Sequence, residues 1–307
     1  MTYLLLLIFF MTRVGAAVTT KMNSRSFSAY GVTGSLLYII ETSLFSLLFY
    51  WAMNGFKLSI NSTVLIYGAI YGAAVVFALV CSIFVYNYSS IATVNFIVGT
   101  VSLVASMLAG ILLFDEKMMP DKLLRIGLMF VCIFIVLFGS RKNAPKTERQ
   151  AKKKTGIHPL SIILPILSAL ISTGTSIIVK LYTAAPEATD SNSLFFMTNL
   201  FSFVYSVPVI FAVMKWENIT FASTLKICAD KKSAVAFLNT AIGSVQTITM
   251  ALLLVTMDIA VYTPITSAIG FIALAVATPI VRERLDRYTV SATAVAILSI
   301  VLPTVLF

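Results

Sequence analysis

One acidic residue lies in the middle of a long apolar segment, where a charge is costly. The chain carries no charged residue from Ser26 to Ile40 before Glu41, or from Thr42 to Phe56 after it. A charge at the centre of a membrane helix costs about 2.5 to 3.5 kcal/mol, so this carboxyl group is expected to face a cavity, pair with a cation or carry a proton. Such a group can couple proton entry to the movement of a solute. The duller interpretation is a Glu that only joins two helices through an ion pair or hydrogen bond.

Basic residues within apolar segments are candidate partners for a carboxylate or an anionic ligand. Arg13 lies inside the first apolar segment and is the predicted counter-ion of Glu41, or else an anchor for an anionic group. Its alternative is a side chain that extends along the helix to the membrane surface. Lys21 and Lys180 lie at segment ends, where such extension is common and a substrate role is the less favoured interpretation.

Uncharged polar and aromatic side chains complete the predicted binding residues. Amides donate and accept hydrogen bonds toward a ligand, and tyrosines stack on flat or cationic groups. The alternative roles are interhelical hydrogen bonding and aromatic packing. The substrate-binding candidates are Asn95, Asn199, Asn239, Gln246, Tyr38, Tyr262 and Lys180.

The composition identifies the setting of these residues. Of 307 residues, 59% are hydrophobic and 11% charged, with a mean hydropathy of +0.97, which excludes a soluble globular chain. The predicted fold class is an all-α membrane protein of ten transmembrane helices, because the apolar runs are continuous rather than alternating. The first segment is kept as a span rather than a signal peptide, since no positive charge precedes it. The segments lie near 2–20, 29–53, 61–86, 90–114, 122–140, 159–181, 192–214, 233–256, 259–281 and 287–307.

Basic residues are distributed unevenly among the connections. The odd-numbered connections hold 16 of the 22 Lys and Arg residues, including a run at 152–154. The positive-inside rule then places the central connection in the cytoplasm and both termini outside. Topogenic charge beside anionic lipid also accounts for the net charge of +10, so the predicted partners are the bilayer and a small-molecule substrate, with no nucleic acid.

The chain divides near its midpoint. A basic linker at 141–158 separates a first five-helix repeat at 1–140 from a second at 159–307. Five is an odd number, so the second half must cross the membrane in the opposite sense, as in many secondary transporters. Matching motifs at the ends of two spans, Asp115-Glu116-Lys117 and Arg282-Glu283-Arg284, support a duplication.

With these motifs and the five-plus-five layout, the chain resembles the drug/metabolite transporter superfamily, and in particular its ten-span EamA-type members. The resemblance covers the whole chain as architecture and specifies no substrate. It implies two inverted repeats around a central cavity, transport by alternating access, and a structural or gating role for Glu116 and Glu283. It also implies cytoplasmic termini, in conflict with the basic-residue count.

The expected function is secondary transport of a small organic metabolite, such as an amino acid or related compound, with proton coupling through Glu41. One alternative is an exchanger of organic anions, sugar phosphates or nucleotide sugars, and another is a non-transporting membrane scaffold subunit. No reactive cluster, phosphate-binding loop or metal-ligand spacing indicates an enzyme, a metal or a cofactor. The expected location is a bacterial inner membrane, as a monomer or homodimer.

Overall fold

A computed structural model describes residues 2–27, 31–88, 91–143, 160–218, 220, 233–280 and 287–306. These residues form ten helices and no strand. Each helix coincides with one predicted apolar segment, although α1 continues past Lys21 to Phe27 and α5 continues to Asn143, because a helix does not end where the hydrocarbon does. The helices are α1 Thr2–Phe27, α2 Gly31–Met53, α3 Ser62–Tyr88, α4 Ile91–Phe114, α5 Pro120–Asn143, α6 Leu160–Ala184, α7 Ser191–Glu217, α8 Ser233–Thr256, α9 Ile259–Ile280 and α10 Arg287–Leu306.

Several of these helices are long and apolar enough to cross a membrane. Among the described residues six stretches meet that requirement by length and composition, in α1, α2, α6, α7, α8 and α9. Shorter apolar stretches lie in α3, α4 and α10. Large apolar side chains such as Leu112, Phe138 and Val305 are exposed on the helix surfaces, as lipid-facing residues are. The chain is therefore a multi-pass membrane protein.

The chain divides into two compact units, each of which takes segments from both halves of the sequence. The boundaries between the units fall within α3 and α6. Unit 1 comprises Met1–Phe77 and Ile178–Val255, and unit 2 comprises Ala78–Ile177 and Thr256–Phe307. The predicted division at 141–158 describes a duplication along the chain, which is a different property from this spatial division. It stays a prediction.

Unit 1 is organised around the packing of α2 against α7. The ring of Phe195 on α7 lies 5.5 Å from that of Tyr50 on α2 and 6.3 Å from that of Tyr71 on α3. Gly68 and Gly72 let α3 approach α7 closely, since an added Cβ at either would lie 2.8 Å from a side-chain Cβ of α7. The GxxxG pair in the sequence thus marks a packed helix contact.

Unit 2 is organised around the packing of α5 against α10, with α4 and α9 beside them. One buried cluster of this unit is apolar and contains several small residues, which allow the helix backbones to approach. The buried cluster consists of Leu103, Met129, Cys132, Ile133, Ala268, Ala292 and Ala296.

Local sequence signals fix several helix ends. Asp190 caps α7 by accepting a 2.7 Å hydrogen bond from the backbone N–H of Ser193, and Asn61 caps α3 through the N–H of Val64 at 2.8 Å. Asn218 ends α7 in the left-handed conformation, with φ of 55°, which Asn tolerates better than most residues. Short polar side chains therefore cap the start of α3 and both ends of α7.

Candidate functional site

Glu41 is a buried acid inside α2. Its side chain is 9% exposed, and both carboxylate oxygens are shielded from solvent. It lies ten residues from the helix start at Gly31 and twelve from the end at Met53, so the carboxyl group is far from either helix terminus. This agrees with the position in mid-helix that the sequence predicts.

A hydrogen-bonded cluster of Thr19, Tyr38 and Asn239, here called the polar triad, joins three helices of unit 1. Asn239 on α8 accepts from the hydroxyl of Thr19 on α1, and its amide nitrogen donates to the hydroxyl of Tyr38 on α2. Tyr38 is three residues before Glu41, which places the two side chains on neighbouring positions of the same helix surface. Two predicted binding residues, Tyr38 and Asn239, are thus brought together one helical turn from the buried acid.

A close approach of α1 and α8 explains how the polar triad forms. An added Cβ at Gly15 would lie 3.2 Å from the Ile242 side chain, so the absence of a side chain there lets the helices meet. Thr19 follows Gly15 by one turn, and Asn239 precedes Ile242 by about one turn. Thr19 was not among the predicted site residues, and its signal in the sequence is its spacing of four residues from Gly15.

The other predicted binding residues are placed separately. The amide nitrogen of Asn199 donates to the backbone oxygen of Phe195 on its own helix at 2.7 Å, which supports the structural alternative for that residue. Gln246 and Lys180 are half-buried, and Tyr262 is 5% exposed within unit 2. The side chain of Asn95 lies outside the described residues.

Arg13 has an exposed side chain on α1, and its guanidinium lies 5.3 Å from the ring centre of Phe9. That geometry is a cation–π contact along the helix surface. The predicted pairing of Arg13 with Glu41 stays a prediction, and the contact with Phe9 resembles the alternative in which the side chain extends along the helix.

Glu116 caps the start of α9 in unit 2. Its two carboxylate oxygens accept hydrogen bonds from the backbone N–H groups of Ile259, at 2.7 Å, and Ala260, at 3.1 Å. The first N–H groups of a helix have no partner within the helix, and the helix dipole favours a negative charge there. Gly110 makes room for the carboxylate, since an added Cβ would lie 2.6 Å from Oε2. The second motif residue, Glu283, lies outside the described residues.

A second long-range carboxylate caps a helix in unit 1. Glu217 at the end of α7 accepts from both the backbone N–H of Thr33, at 3.1 Å, and its hydroxyl, at 2.5 Å, in the first turn of α2. Glu217 was not among the predicted site residues, because Thr33, to which it binds, lies 184 residues earlier in the chain.

Two basic residues near the start of α5 are buried. Lys122 is 5% exposed and donates to Asp258 at 2.5 Å. Arg125 is 6% exposed and donates to the backbone oxygens of Ser299 and Ile300 on α10, each at 3.3 Å. Pro303 has no N–H, so the oxygen of Ser299 lacks its usual helical donor, and Arg125 replaces it. That proline was the sequence signal for the contact.

No group of three or more His, Cys, Asp or Glu residues that could hold a metal ion occurs in the described part of the chain. The polar groups gathered in unit 1 are a carboxyl, an amide and two hydroxyls. They are suited to hydrogen bonding and proton exchange with a small molecule.

Comparisons with known proteins identify the fold and nothing finer. No protein-family model and no curated protein sequence matches the chain. It is similar to a solved structure described only as "Crystal structure of protein", with a TM-score of 0.67 and 12% sequence identity, over 97% of this chain and 96% of that one. Likeness at that identity shows a shared helical fold over almost the full length of both chains.

Proposed function

We propose that this protein is a secondary transporter of the drug/metabolite transporter superfamily, of the EamA type, in a bacterial inner membrane. It moves a small organic metabolite, such as an amino acid or a related compound, by alternating access, and Glu41 couples that movement to protons. The observation that carries the proposal is a buried carboxyl group in the middle of an apolar helix, one turn from the polar triad.

The position of Glu41 supports coupling. A buried carboxyl group is much less costly when protonated than when charged, so its proton is released when water or a cationic group reaches it. The neighbouring amide and hydroxyl groups of the polar triad offer hydrogen bonds to a substrate at the same level of α2. One surface of α2 therefore carries both the proton site and the substrate site.

The packing of the helices supports the inverted repeat. In a duplication of five helices, α2 corresponds to α7 and α5 corresponds to α10. These are the pairs with the most extensive packing, α2 with α7 in unit 1 and α5 with α10 in unit 2. Pairing of each helix with its counterpart is expected when two inverted copies are related by a two-fold axis.

The test is substrate-dependent proton movement in liposomes with a trapped pH-sensitive dye. Ligands are first chosen by thermal stabilisation of the purified protein with a panel of neutral amino acids and a panel of carboxylates and phosphates. A ligand at 100 times its dissociation constant stabilises the folded state by about 2.7 kcal/mol. The chosen ligand is then added outside liposomes that hold wild type, Glu41→Gln or Glu187→Gln.

Glu187 provides a matched control, because its carboxylate is exposed in the connection between α6 and α7 and accepts a hydrogen bond from the hydroxyl of Thr63. Wild type and Glu187→Gln are expected to change the internal pH with substrate, whereas Glu41→Gln exchanges labelled substrate without proton movement. Proton movement unchanged in Glu41→Gln would refute the coupling role. Substrate exchange in wild type without proton movement would favour the anion exchanger, and the absence of stabilisation and exchange with both panels would favour the scaffold subunit.

A further inference from the structure

The helix α8 has two opposite faces of different character. Leu238, Leu252 and Val255 are exposed on one face, as expected beside lipid. Asn239, Gly243 and Gln246 are spaced by four and three residues and share the opposite face, on which Asn239 contacts α1 and α2. A helix face that contacts other helices is usually buried, yet these three residues are half-buried.

Gly243 borders open space. A Cβ added there would meet no atom within 4 Å, in contrast to Gly68 and Gly72 in the packed contact of α3. A glycine inside a helix costs about 1 kcal/mol relative to alanine. Close helix packing accounts for that cost at Gly68 and Gly72, but no neighbouring atom requires a glycine at position 243.

The half-buried face extends from the polar triad along α8. Asn239 lies at one end of it and is hydrogen-bonded to Thr19 and Tyr38. Gln246 lies seven residues further, which is about 10 Å along the helix axis, and Gly243 lies between them. A distance of about 10 Å is that of a small metabolite, with one amide at each end.

We propose that this face of α8 is a wall of the substrate site and that Gly243 sets the largest substrate that fits. The inference rests on the proposed function and names the substrate class. That class is a compact molecule with uncharged hydrogen-bonding groups for Asn239 and Gln246 and an apolar part that lies over Gly243. The described residues of this face carry no charge, so recognition comes from hydrogen bonds and shape.

The first experiment measures access to this wall without requiring transport. Gly243→Cys and Leu238→Cys are compared after reaction with a charged, water-soluble thiol reagent in reconstituted membranes. Cys228 is replaced by serine in all variants, and the buried Cys81 and Cys132 are kept, so the background protein supplies the blank. A thiol reacts as its thiolate, which forms in water and not in lipid, so Gly243→Cys should react about tenfold faster or more than Leu238→Cys. Equal rates, or no reaction at position 243, would overturn the inference.

The second experiment measures size selection at the same position. Gly243→Ala has room to fold, since a Cβ at this position meets no atom within 4 Å, and Gly243→Leu extends further into the same space. With the ligand chosen above, Ala should keep most of the stabilisation, whereas Leu should abolish it for the larger members of the panel first. Equal stabilisation of Gly243→Leu and wild type by every ligand would contradict the assignment.

The two proposals fail in different ways. A reactive cysteine at position 243 in a protein that transports nothing would leave the wall in place and reject the transporter. Normal transport with an unreactive Gly243→Cys and a harmless Gly243→Leu would keep the transporter and reject the wall.

Discussion

Replacement of Glu116 by alanine is expected to loosen the start of α9. The carboxylate accepts hydrogen bonds from the N–H groups of Ile259 and Ala260, and a hydrogen bond to a charged group contributes about 1.5 to 3 kcal/mol. The two bonds together contribute about 3 to 6 kcal/mol by that estimate, and water that enters the vacated space restores part of it. The expected loss in the free energy of unfolding is therefore about 2 to 4 kcal/mol, above the usual cost of losing a helix cap.

Two measurements check this expectation. Equilibrium unfolding in mixed micelles with increasing SDS gives the change in free energy, with Glu187→Gln as the control for loss of an exposed carboxylate. Hydrogen exchange by mass spectrometry follows the peptide that contains Ile259 and Ala260, whose amides should exchange faster in Glu116→Ala while peptides from α2 stay unchanged. If Glu116→Ala unfolded at the same SDS fraction as wild type and those two amides exchanged at unchanged rates, the hydrogen bonds of Glu116 would contribute nothing to stability and the reasoning would be wrong.

Two further predictions concern helix packing. Gly72→Ala places a Cβ 2.9 Å from a backbone carbonyl oxygen of α7, which cannot move aside as a side chain can. The variant should therefore lose about 1 to 3 kcal/mol of stability in the same SDS titration. Gly243→Ala has open space beside it and should lose none, and an equal loss in the two variants would contradict the packing argument. Arg125→Leu should lose about 1 to 3 kcal/mol because the oxygen of Ser299 loses its donor, and adding Pro303→Ala should restore part of that loss by supplying a backbone N–H. A double variant no more stable than Arg125→Leu would refute the replacement of a helical donor by the arginine.

Much of the helical architecture is predictable from the sequence, because hydrophobic runs of membrane length specify their own backbone hydrogen bonds. The ten helices coincide with the ten predicted segments, and the position of Glu41 in the middle of a helix follows from composition and spacing alone. These are properties of one segment at a time.

The contacts between segments are harder to predict from the sequence. Lys122 and Arg125 lie near the start of a span, where a rule that counts basic residues assigns them to the membrane surface. Their partners, Asp258 and the backbone of α10, are more than 130 residues away. The polar triad has the same character, since each of its members alone is an ordinary polar residue in an apolar helix. Which of the predicted site residues contact each other depends on the packing of helices that are far apart in the sequence.

The hydrogen bonds of Glu116 to the start of α9 also constrain the order in which parts of unit 2 fold during synthesis. The two amides that it accepts from lie 143 and 144 residues later in the chain. At a synthesis rate of about 5 to 20 residues per second, roughly 7 to 30 s pass between the synthesis of Glu116 and that of the start of α9. During that interval α4 and α5 can insert, but their connection has no helix end to bind. Unit 2 is therefore completed only after most of the chain has been translated.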